Sequence, residues 1–166
     1  SQGARRLNEL VAAGLPEFQK EGVQILQISG PSDFGSAKEA YEKYPDAGKL
    51  VAFCSEMQKA LAVADLAVCR SGASSLTELS HYGIPSVLIP YPFAADDHQT
   101  LNAEIFTEVG AAESWPQKEL DEGSFVSRLV GLANNDEVLG NMSKAMRALA
   151  VPEAAETVCE VIAETR

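Results

Sequence analysis

The chain has little positive charge. Lysine and arginine total 13 against 24 aspartates and glutamates, a formal net charge of -11 over 166 residues. A surface this acidic repels a phosphate backbone, which argues against general nucleic-acid binding. It leaves room for a local anion site, because backbone N–H groups at a helix start bind phosphate without a lysine. Cysteine is also scarce. Cys54, Cys69 and Cys159 stand far apart, form no Cys-x-x-Cys, and leave one unpaired. That pattern reads as reduced thiols with no structural zinc. No stretch approaches the roughly 18 apolar residues of a membrane span. Ser1-Gln2-Gly3-Ala4-Arg5-Arg6 has no apolar signal segment. These absences point to a cytoplasmic setting. Neither Gly-x-Gly-x-x-Gly nor a P-loop lysine motif occurs, which argues against a dinucleotide oxidoreductase or an NTPase. No Ser/His/Asp triad can be assembled.

What remains is a chain with 46% hydrophobic and 22% charged residues, a balance able to build one packed domain. Short apolar runs at 23–28, 50–53, 66–69, 86–89 and 111–115 alternate with helical periodicity at 6–15, 36–44, 56–64, 75–82 and 99–109. Strand, helix, strand over several units predicts βαβ crossovers and a parallel sheet. Leu66-Ala67-Val68-Cys69 shows no polar alternation, as suits a sheet covered on both faces. Helices at 120–133, 137–149 and 153–165 follow, with Pro152 at a first-turn position of the last. The chain opens on a helix where a βαβ unit calls for a strand. The expectation is a single domain, 1–166, that begins just after its own first strand.

The stretch 64–78 reads strand, small-residue turn, helix. Gly72 permits a tight turn and lets a ligand approach the backbone. Ala73, Ser74 and Ser75 add little bulk. The free N–H groups of the helix then face out of the carboxyl edge of the sheet, where open α/β folds bind ligands. A structural alternative is a capping box, with Ser75 as N-cap and Glu78 returning to its N–H. Glu78 can equally accept bonds from a ribose diol.

A second stretch, 90–103, follows a strand and carries Asp96, Asp97, His98 and Gln99 into a helix. Its simplest reading is an aspartate N-cap. Two adjacent carboxylates without further ligands make a poor metal site. His98 can serve as a base or a hydrogen-bonding group, and Gln99 offers both a donor and an acceptor to sugar hydroxyls. His81 reads as a helix-surface residue, Ser29-Gly30-Pro31-Ser32 as a turn, and Cys69 as core rather than nucleophile.

Residues 64–73, Glu78, Gly83-Ile84-Pro85, His98-Gln99 and Asn102-Ala103 together resemble the MurG family. These bacterial transferases move N-acetylglucosamine from UDP-N-acetylglucosamine (UDP-GlcNAc) to the lipid-linked muramyl-pentapeptide precursor of peptidoglycan. Ser1-Gln2-Gly3-Ala4 resembles the end of the family's Gly-Gly-Ser-Gln-Gly-Ala turn. The resemblance covers essentially the whole chain. It implies an α/β fold with a Rossmann-like parallel sheet flanked by helices, the C-terminal, donor-binding half of a GT-B glycosyltransferase.

It also implies roles at the substrate site. Ser1 would lie near the phosphates or sugar, and Cys54 where the backbone meets the uracil edge. Arg70, Ser71 and Gly72 would shape the turn, and Ser74 and Ser75 hold the diphosphate. Glu78 would take the ribose, and His98 and Gln99 the sugar hydroxyls. The resemblance implies inversion by direct displacement without metal or cofactor. The catalytic base and the acceptor would belong to an N-terminal half absent here, leaving this fragment inactive by itself. It places the protein at the cytoplasmic face of the bacterial plasma membrane. Two other readings share these features: another GT-B enzyme using a UDP-sugar (a diacylglycerol glycosyltransferase or the donor subunit of a two-subunit GlcNAc transferase), and a non-catalytic nucleotide-binding module.

Overall fold

The computed structural model describes residues 4–94 and 97–164. Helix α1 (Arg5–Lys20) carries Leu7, Leu10, Leu15 and Phe18 on one buried side. It leads into β1 (Ile25–Ile28), α2 (Pro31–Lys43) and β2 (Gly48–Val51). Pro31 opens α2, where a missing N–H costs nothing because the first helical donors lack partners anyway. The helix therefore starts ahead of the periodic stretch at 36–44. The alternation continues through α3 (Met57–Ala62), β3 (Ala67–Cys69), α4 (Ala73–Tyr82), β4 (Ser86–Leu88), α5 (His98–Glu108) and β5 (Ala112–Ser114). Three helices close the chain: α6 (Glu122–Ala133), α7 (Asp136–Ala148) and α8 (Ala154–Glu164). Pro152 falls before α8 rather than in its first turn.

Among the described residues the strand pairings are parallel, as the alternating pattern predicts. The sheet stands in two pieces, β1–β2 and β3–β4–β5, with β4 central in the second. Between the pieces runs a cleft of about 870 Å³, lined by Ile25, Leu26 and Ile28 on one side and Leu66, Ala67 and Val68 on the other. Leu26 and Ile28 are exposed, although aliphatic strand residues of a parallel sheet are normally covered on both faces.

Two apolar clusters hold the elements. One joins α1 and α6 to Val87, Ile89 and Trp115. The other joins Leu76 and Leu79 of α4 to Leu88, Ala103 and Met146. Trp115 is buried, donates from Nε1 to Glu113 at 2.7 Å, and lies under the Arg128 guanidinium at 4.1 Å. That stack ties α6 to β5. Helix α4 ends at Gly83, whose φ of 69° is left-handed. A Cβ there would collide with the Arg147 side chain, so the position favours glycine on two grounds. Among the described residues no helix is long and apolar enough to cross a membrane.

Candidate functional site

Strand β3 delivers Arg70, Ser71 and Gly72 to the start of α4. The N-cap is Gly72, and no side chain caps the helix. This overturns the capping box: Ser75 is the third residue of α4, not its cap, and Glu78 lies in the second turn. The tight-turn reading of Gly72 fails as well. Its φ of -73° and ψ of 140° are open to any residue. A Cβ there would meet nothing within 4 Å, so the space beside its backbone is open.

The first intrahelical bond runs from Leu76 N–H to the Gly72 carbonyl at 3.1 Å. The N–H groups of Ala73, Ser74 and Ser75 therefore have no acceptor within the helix. Ser74 is exposed and Ser75 half-buried. Glu78 is exposed, and it follows them by four and three residues, so the three side chains share one face of α4. Thr77, by contrast, turns its hydroxyl back onto the Ala73 carbonyl at 3.0 Å. The edge thus combines three unpaired donors, the positive end of a ten-residue helix, two hydroxyls and one carboxylate. Such a set accepts an anion and, one turn on, a diol.

Arg70 and Ser71 support this edge from within. Arg70 donates to the carbonyls of Ile89 (3.0 Å) and Pro90 (3.2 Å) and to Gln117 Oε1 (2.6 Å). Its guanidinium also lies 5.3 Å from the Tyr91 ring centre. Burial pulls its pKa below the usual arginine value, with Tyr91 opposing the shift. Ser71 is fully buried. Its hydroxyl donates to the Gln99 carbonyl at 2.6 Å, and its own carbonyl accepts from Asn102 Nδ2 at 3.0 Å.

These bonds bring the second stretch beside the first. His98 is exposed at the first position of α5, and Gln99 follows it, half-buried. Gln99 Oε1 accepts from the Tyr91 N–H at 2.9 Å, which leaves its amide hydrogens to donate elsewhere. Asp97 does occupy the N-cap of α5, but its carboxylate accepts from the Thr100 hydroxyl at 2.7 Å instead of from a backbone N–H. Its φ of 53° is left-handed for a non-glycine residue.

Cys54 is half-buried in the loop after β2, beside an exposed Phe53. Ser1 and Asp96 lie outside the described residues. His81 is on the helix surface, edge-on to Tyr82. Burial pushes the Cys69 thiol up to about 12, which makes it inert as a nucleophile. Among the described residues no group of three His, Cys, Asp or Glu side chains could hold a metal.

Sequence reading missed Asn102 as a structural link. It noted the Asn102-Ala103 pair without a role, and a mid-helix asparagine beside an alanine carries no local signal for a bond to a residue 31 positions away.

A parallel sheet flanked by helices, with an uncapped helix start at the carboxyl end of β3, defines an α/β domain of the kind that binds ligands at that edge. The glycosyltransferase family 28 C-terminal domain matches residues 1–158, and the chain belongs to that family. It is 39% identical, over 99% of its length, to a Methylococcus capsulatus protein named UDP-N-acetylglucosamine--N-acetylmuramyl-(pentapeptide) pyrophosphoryl-undecaprenol N-acetylglucosamine transferase, and covers 46% of that protein. A Gloeobacter violaceus protein of the same name is 38% identical over 99% of the chain, again with 46% of the relative covered. The crystal structure of Acinetobacter baumannii MurG superposes with a TM-score of 0.85 at 30% identity, over 98% of this chain and 47% of that one. The glycosyltransferase VinC, solved with dTDP, shares the fold at 19% identity and a TM-score of 0.68, over 91% of this chain and 36% of that one. The resemblance to the MurG family is borne out, and the chain spans about half the length of the relatives it matches.

Proposed function

We propose that this chain is the donor-binding, C-terminal half of an inverting transferase. The enzyme moves N-acetylglucosamine from UDP-GlcNAc to the lipid-linked muramyl-pentapeptide of peptidoglycan synthesis. One observation carries the reading: the uncapped first turn of α4, with Ser74, Ser75 and Glu78 on one face. The N–H groups of Ala73 to Ser75 and the serine hydroxyls hold the diphosphate. Glu78 accepts the ribose hydroxyls, Gln99 donates to the sugar with His98 beside it, and the backbone at Cys54 meets the uracil edge. As the glycosidic bond breaks, negative charge grows on the departing UDP, and donors already aimed at it lower the barrier.

The cleft between β1 and β3 is lined by residues other than these. The site is an open edge that needs a second wall. That fits a domain whose partner half supplies the acceptor, the base and the contact with the cytoplasmic face of the membrane. The cleft between β1 and β3 supports a further part of this reading. A further strand between those two free edges would join the sheet into one, and this reading assigns that place to the first strand of the donor-binding fold. The acceptor named in the relatives, an undecaprenol-linked sugar, supports a peripheral position at the membrane.

Calorimetric titration of UDP into the parent transferase tests the reading. Glu78→Ala is expected to weaken binding about tenfold through the loss of charge-assisted ribose bonds. Unchanged affinity in a folded variant removes Glu78 from the site.

A further inference from the structure

The outer face of helix α5 is apolar and acidic at once. The helix packs on β5, the outer strand of its sheet piece, and buries only Ala103. On the side away from Ala103, Leu101, Ile105 and Val109 are 57%, 55% and 50% exposed. They stand four residues apart, so they form one ridge along the helix and its C-cap. Single exposed aliphatic residues are ordinary, but a contiguous row of them marks a surface that something covers. Glu104 and Glu108 are exposed too. Each follows a ridge residue by three positions and so lies beside it. The helix has no lysine or arginine, and no ion pair reaches either carboxylate among the described residues. Glu108 closes the helix at the negative end of its dipole, where a carboxylate is unfavourable. The exposed ridge and the misplaced charge are both costs to the domain alone.

We propose that this face of α5 docks a basic amphipathic helix of another protein. Apolar residues of that helix would cover Leu101, Ile105 and Val109, and its lysines or arginines would meet Glu104 and Glu108. One occupant then relieves both costs. Charge argues against the alternatives. A second copy of this chain carries -11, and its own unburied helix α8 sets Glu156, Glu160 and Glu164 among Val158, Val161 and Ile162. Like charges would meet across that contact. An anionic bilayer surface repels the acidic ridge for the same reason. The ridge runs along α5 toward the start of β5, away from the amides of α4, so docking here is independent of donor binding.

The probe is a fluorescein-labelled model peptide, a helix with leucines at i, i+4 and i+7 flanked by lysines, titrated with the parent transferase and read by anisotropy. Saturable binding is expected. Ile105→Ser with Val109→Ser is expected to weaken it about tenfold, and Glu104→Gln with Glu108→Gln about fivefold. The second effect is expected to vanish at high salt, where exposed charges are screened. In the unbound protein Glu108→Gln is expected to hold or raise the thermal midpoint, because it removes a charge the helix dipole opposes. These substitutions lie outside the donor site and are expected to leave the KM for UDP-GlcNAc unchanged, which separates this surface from the donor-binding reading. Full peptide affinity in the ridge variant overturns the proposal, as does equal binding of a peptide with glutamates in place of the lysines. No peptide binding to the unaltered transferase overturns it too. Sedimentation and flotation with phosphatidylglycerol vesicles then show whether a second copy or a membrane takes the ridge instead.

Discussion

Ala73 is the residue at which the diphosphate reading can be separated from general damage to the fold. Its N–H is one of three at the head of α4 without a helical acceptor. The preceding Gly72 already has the extended backbone, ψ 140°, that a residue before proline requires. Proline is also well tolerated at the first helical position. Ala73→Pro therefore deletes one donor and little else. It is expected to weaken UDP binding about fivefold by calorimetry while the thermal unfolding midpoint holds. Full UDP affinity in the folded variant would show that this amide does not face the ligand. Residue identities along this stretch were legible in the sequence, because small residues between an apolar run and a helix leave few other readings. The position of the helix start was not. Ser75-Leu76-Thr77-Glu78 has the spacing of a capping box, yet the helix begins three residues earlier, on a glycine that caps nothing. A natural helix start left without a side-chain cap is one that a ligand can complete.

At the scale of elements, the strands and most helices follow from periodicity alone, since each apolar run had one consistent partner pattern. The connections between elements did not show. Asn102 reaches Ser71, and Arg70 reaches Gln117, across distances in sequence that no local pattern encodes. The two helix caps near the end of the chain offer a test of local stability. Asp121 accepts from the Ser124 N–H at 3.0 Å and caps α6, while Asn135 caps α7 through the Val138 N–H at 3.1 Å. The Ser124 backbone N–H holds the Asp121 carboxyl below the usual range, aided by the Ser124 side chain. A carboxyl depressed in the folded state stabilises above its unfolded pKa, and that contribution is lost as pH falls through the folded value. Asp121→Ala is therefore expected to lower the unfolding midpoint at neutral pH, with the gap closing below the ordinary carboxylate range. Asn135→Ala removes a neutral cap, and its deficit is expected to stay constant over the same titration. Thermal melts from neutral to strongly acid pH compare the two. A pH-independent gap for Asp121→Ala would contradict the charge-assisted cap.

Over the whole molecule, three features converge. The sheet is split between β1 and β3, the chain covers about half of the relatives it matches, and the head of α4 leaves backbone donors without a helical acceptor. Helix α8 adds a fourth, with Val158, Val161 and Ile162 exposed and no residue buried. The split in the sheet was not legible, since no periodicity marks where its two pieces part. The net charge of -11 makes the edge at α4 informative: its backbone donors can take an anion on an acidic surface without a lysine. The most direct measurement is a structure of the parent transferase with UDP-GlcNAc bound. The account predicts diphosphate oxygens within hydrogen-bond reach of the amides of Ala73 to Ser75, with Glu78 on the ribose. A nucleotide bound elsewhere, with those amides facing only solvent, would contradict it.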